Sequence, residues 1–115
     1  MEVKQKEVEG ADKGGNWVTL GEVQYKVAPL NFKALRELGG TLGLLREMTP
    51  GEMPSTAHVT ALVAVAHASL RRNYPSITED EVADVLDFGN FSEALSSVLG
   101  VSGLRKKEEG QDPGK

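Results

Sequence analysis

A chain of 115 residues with a net charge of −4 and a pI near 5.2 fits one domain and lacks the basic balance of a nucleic-acid-binding module. The absence of cysteine excludes disulfides, thiol catalysis and zinc–thiolate centres. No apolar run approaches the roughly 18–20 residues of a membrane span, and the charged opening Met1–Glu7 has no apolar signal-peptide core, so a soluble, cytoplasmic protein is expected.

Residues 1–15 mix charges with glycines and end in Lys13-Gly14-Gly15, which predicts a flexible lead-in. A hairpin follows. Asn16–Leu20 and Val23–Val27 alternate in polarity around Gly21-Glu22, and glycine at the first central position suits a type II′ turn. Pairing Leu20 with Val23 puts Val18, Leu20, Val23, Tyr25 and Val27 on one apolar face and leaves Trp17, Thr19, Gln24 and Lys26 on the other. A two-stranded ribbon is marginal alone, so helices must cover that face.

After Pro29 the period becomes helical. Phe32, Leu35, Leu38, Leu42 and Leu45 form a stripe behind Asn31 as N-cap. Gly39, Gly40 and Gly43 interrupt it, so either the helix breaks near Gly39 or the glycines admit a close neighbour. Ser55 caps a second helix that Tyr74-Pro75 stops, and whose Ala61–Ala66 centre is apolar all round, as in a helix buried on most sides. Thr78-x-x-Glu81 is a capping box opening a third helix, with Val82, Val85 and Leu86 inward and Gly89 at its end. Asn90 caps a fourth, carrying Phe91, Leu95, Val98 and Leu99. The expected fold is mainly α: a small domain of about four helices over 16–103 with an N-terminal hairpin, and disordered termini at 1–15 and 104–115.

Candidate chemistry is thin. His58 and His67 are nine residues apart on one helix and so face opposite ways; they cannot share a metal. Glu79, Asp80, Glu81 and Asp84 lack the alternation and central glycine of a calcium loop, and complement a helix N-terminus instead. Gly39–Gly43 meets neither P-loop nor dinucleotide spacing, and the serines sit in no nucleophile elbow. The expectation is no enzyme, no cofactor and no metal. A helix-turn-helix reading of the last two helices fails because the second contains no Arg or Lys.

The order of segments carries more. A Val-Thr-Leu-Gly-Glu-Val-Gln-Tyr-Lys-Val hairpin runs into Asn31–Leu38, then an Ala/Val-rich helix ends in Leu70-Arg71-Arg72-Asn73-Tyr74-Pro75, followed by Ile77–Val82 and Asn90–Gly100. This pattern resembles the small tail assembly chaperones of siphophages and prophages and the related gene-transfer-agent proteins, across residues 17–104 and most closely over 67–104. The resemblance implies a protein of the bacterial host cytoplasm that binds the long helical tape measure protein and protects it until tail tube protein polymerises around it. It also implies self-association, and a longer form made by ribosomal frameshifting. It supplies no catalytic residues.

Capture of a helix needs an apolar groove with a polar rim. Candidate partner-binding residues are Trp17, on the hairpin's second face, and Phe88, Phe91 and Leu95; the competing role of each is core packing. A structural neck or connector subunit of the virion is the alternative function, with a small DNA-binding regulator a more distant third.

Overall fold

In a computed structural model, which describes residues 4–49 and 51–104, the hairpin forms in the expected register. Strand β2 (Asn16–Leu20) pairs antiparallel with β3 (Val23–Val27), with Leu20 opposite Val23 and Val18 opposite Tyr25. Gly21 alone of the two turn residues takes a positive φ, +68°, as a type II′ turn requires. Val18, Leu20 and Val27 are fully buried, and helices α3 and α5 cover them.

The sheet has a third strand that the sequence did not predict. Residues Lys4–Gln5 form β1, which lies parallel to β3 with Lys4 opposite Val23, giving the order β1-β3-β2. The fold is therefore α+β, with a mixed three-stranded sheet, rather than mainly α with a hairpin alone. The described part of the expected lead-in is hydrogen-bonded to distant segments. Lys6 N donates to Gln24 O (2.8 Å), Glu9 N to Asn73 O (2.8 Å) and Lys13 N to Asn73 Oδ1 (2.7 Å). Polar residues without periodicity can be ordered by backbone bonds to distant segments, a signal that local patterning does not contain. The polar tail from 105 onward lies outside the described residues.

Among the described residues five helices follow, one more than expected, because the first stripe splits. Helix α1 (Phe32–Glu37) is capped by Asn31 Oδ1 on Ala34 N (2.9 Å) and ends at Leu38, where α2 (Gly39–Arg46) begins. A Cβ at Gly39, Gly40 or Gly43 would meet nothing within 4 Å, so these glycines loosen the helix rather than admit a neighbour. The split also changes what the stripe buries. Leu42 and Leu45 enter the core from α2, whereas Phe32 is 87% exposed on a helix with no buried residue.

Helix α3 (Thr56–Asn73) is the central element, touching α2, β3, α4 and α5. Leu62, Val65 and Leu70 are fully buried on it. Its N-terminus is a capping box in which His58 fills the usual Glu position: Ser55 Oγ accepts from His58 N, and His58 Nδ1 accepts from Ser55 N. Helix α4 (Glu79–Val85) opens with the predicted Thr78/Glu81 box but stops at Leu86, before Gly89. Helix α5 is Phe91–Val101.

Polar side chains at the end of α3 fasten the connections. Asn73 and Tyr74 are fully buried. Asn73 Nδ2 donates to Gly14 O and Lys26 O (3.1 Å each), while Tyr74 Oη donates to Lys6 O and accepts from Lys26 N (2.8 Å each). The buried loop after β3 is satisfied similarly. Ser69 Oγ donates to Ala28 O (2.7 Å), Arg72 donates to Pro29 O, and Leu30 N donates to Ser102 Oγ (2.9 Å). Among the described residues, no buried side-chain polar atom lacks a partner.

Candidate functional site

The helix packing leaves one side of α3 partly uncovered. Val59 and Val63 lie a turn apart there and face Ala83 and Leu86 of the α4 segment, with Leu62 and Phe91 beneath and Phe88 at the lip. Together they enclose an apolar groove of about 340 Å³ with Asp87 on its rim. That volume is at the small end of ligand clefts, roughly 300–1,000 Å³, and suits a few inserted side chains.

Phe88 is 63% exposed, and the turn carrying it is rigidly closed. Asp87 N donates to Asn90 Oδ1 and Asn90 N donates to Asp87 Oδ1, each at 2.9 Å, while Asn90 Nδ2 donates to Val85 O, also at 2.9 Å. Asn90 occupies the N-cap position of α5 but makes no side-chain cap bond to it, because its amide is committed backwards to this turn. Reciprocal side-chain bonds of this kind fix a backbone outside regular structure. The Phe88 ring is thus held out in water by a braced turn.

The four sequence candidates divide. Phe88 and Phe91 meet at the groove, Phe88 at its lip and Phe91 nearly buried in its floor. Leu95 is half-buried against the core and does not line the groove. Trp17 stands on the far side of the sheet, where Lys26 Nζ lies 5.8 Å from its ring centre and 2.8 Å from Asp12 Oδ2. Sequence reasoning missed Val59, Val63, Ala83 and Leu86. For Val63 the signal was the all-round apolar centre of α3, whose exposed share became a groove wall; Val59, Ala83 and Leu86 lie outside that centre.

A second concavity, about 210 Å³, is polar and lies between the N-terminal segment and α4, lined by Lys6, Glu9, Tyr25, Ser76, Glu81 and Asp84 among others. Glu9 accepts there from Ser76 N (3.1 Å) and Ser76 Oγ (2.8 Å), which holds its carboxyl below the ordinary carboxylate value. His67 Nε2 is 3.0 Å from Ile77 O, and its Nδ1 is 4.0 Å from Glu79, so it bridges α3 to the start of α4. Among the described residues, no group of three His, Asp or Glu side chains is placed to hold a metal, and no helix is long and apolar enough to cross a membrane.

The fold and groove define an α+β domain with a braced hydrophobic anchor. Compared with protein-family models, curated proteins and solved structures, the chain shows no match.

Proposed function

We propose that this chain is a non-enzymatic tail assembly chaperone of a long-tailed phage or prophage, which holds helical segments of the tape measure protein in the groove between α3, α4 and α5. The observation that carries this reading is Phe88, a large apolar side chain 63% exposed on a braced turn at the lip of an apolar groove. Exposed apolar surface of this kind costs solubility unless a partner covers it. Helix-in-groove capture works by burial, and asks for no reactive group. The brace lowers the cost of binding further, because the anchor is already fixed before the partner arrives. The segment order described above supports the tail assignment.

The test is co-expression with the tape measure protein encoded beside it. The wild-type chain co-purifies with that protein and keeps it in the soluble fraction, whereas Phe88→Ser loses most of it without lowering its own melting temperature. Burying a Phe fully is worth about 1.5–3 kcal/mol, a roughly ten- to hundredfold change in affinity. Mass spectrometry of finished particles adds a second arm. Stoichiometric presence in virions would replace the chaperone reading with a structural subunit.

A further inference from the structure

The groove is apolar inside, with one carboxylate on its rim and two more on the turn of α4 that precedes its wall. Asp87 stands on the rim beside Phe88. Glu79 and Asp80 precede Ala83 by four and three residues and so stand on the turn of α4 immediately before that wall residue, Glu79 on the same face as Ala83. All three carboxylates are exposed. Glu81 is taken up by the capping box, and Asp84 by the polar concavity on the opposite side of α4. Among the described residues, no Lys or Arg lines the groove. Along α3, His67 follows Val63 by one turn and stands 4.0 Å from Glu79, and only at Arg71, a further turn along, does a permanent cation appear.

We propose that the groove's occupant is an amphipathic helix whose apolar stripe is flanked by Lys or Arg. This rests on the groove being the partner seat. The stripe packs on Val59, Val63, Leu86 and Phe88, and the flanking cations come to rest near Asp87 and near Glu79 and Asp80. An acid-flanked helix of the same stripe brings like charges together at these carboxylates, so they select among helices that the apolar floor alone would accept.

The experiment uses the full chain and three synthetic helices of about five turns, identical in apolar stripe and flanked by Lys, Gln or Glu, titrated by fluorescence anisotropy. The Lys-flanked helix is expected to bind at least tenfold tighter than the Glu-flanked one at low salt. The gap should narrow several-fold in about 1 M salt, where the Debye length is ~3 Å. Phe88→Ser weakens all three, and the E79K/D80K double variant removes the preference while retaining the wild-type circular dichroism spectrum. Equal binding of the Lys- and Glu-flanked helices overturns the proposal. So does Lys-flanked binding that survives Phe88→Ser, because the cations would then be adhering elsewhere. Retention of the tape measure protein by the wild-type chain, with no discrimination among the helices, removes this inference and leaves the chaperone reading intact. A groove that takes the Lys-flanked helix but not the tape measure protein does the reverse.

Discussion

Replacing Asn73 with Ala removes three side-chain hydrogen bonds at once, to Lys13 N, Gly14 O and Lys26 O. A net hydrogen bond contributes about 0.5–1.5 kcal/mol, and a buried partner left unpaired costs about 1–3 kcal/mol. Lys13 is exposed and Gly14 half-buried, so water recovers part of the loss there. The expected cost is about 3 kcal/mol, a large share of the ~5–15 kcal/mol typical of a domain this size. Urea unfolding followed by the fluorescence of Trp17, the single tryptophan, should show the midpoint falling by roughly 1.5–3 M with the slope unchanged. Asn73→Asp is the sharper variant. It keeps the acceptor for Lys13 N but turns a carboxylate oxygen toward two carbonyls, so at pH 7 it should be at least as damaging as Ala. Burial beside carbonyls raises the folded-state pKa of the introduced carboxyl, so the deficit shrinks as pH falls toward ~4 and the protonated acid regains a donor. A loss below about 1 kcal/mol for Asn73→Ala, or no pH dependence for Asn73→Asp, would refute the fastening role.

Three glycines should respond differently to Ala. Gly15 has φ +115°, and a Cβ there would lie 1.7 Å from Val27 O, so Gly15→Ala should cost more than ~3 kcal/mol. At Gly14 (φ +85°) the space is open and only the left-handed penalty of about 1–2 kcal/mol applies, while Gly40→Ala in α2 should stabilise by about 0.5–1 kcal/mol; chemical denaturation of the three variants ranks them. The acid limb of stability is a further expectation. Glu9, hydrogen-bonded by Ser76, and Asp12, hydrogen-bonded by Lys26, both titrate below their ordinary values of 4.5 and 3.8. Their folded pKa values are depressed, so the stability they add is present above those ordinary values and is lost as pH falls through the folded ones. Glu9→Gln combined with Asp12→Asn should flatten the melting-temperature profile below about pH 4.5; an unchanged acid limb would assign it to other carboxylates.

What was legible in the sequence is what neighbours decide. The hairpin register follows from period-two alternation around Gly21, the capping box of α4 from Thr78 and Glu81 three apart, and the start of α3 from Ser55 as its N-cap, although the part His58 plays in that cap was not read. Strand β1 was illegible because Lys4 and Gln5 are exposed, carry no apolar alternation and pair through backbone atoms and one exposed side-chain bond, Gln5 Nε2 to Gln24 Oε1 (2.9 Å). Asn73 and Tyr74 read as a helix stop, which they are, yet their partners lie 47 to 68 residues away. Phe32 fell out of its stripe because the break at Leu38 leaves α1 too short to carry a face into the core. Of the candidate site, Phe88 and Phe91 were visible as aromatic residues near a turn. The groove wall was not, since whether Val59 and Val63 are covered depends on where α4 and α5 settle.

The contact between Lys13 and Asn73, 60 positions apart, also sets a schedule for synthesis. At about 5–20 residues per second, the ribosome delivers Asn73 and Tyr74 roughly 3–12 s after the N-terminal segment they hold. During that interval β3 has its hairpin partner β2, but the residues that pin β1 against its other edge have not been made. An unpaired strand edge is a template for pairing with other chains, so nascent copies emerging side by side from one message are most vulnerable to each other in those seconds.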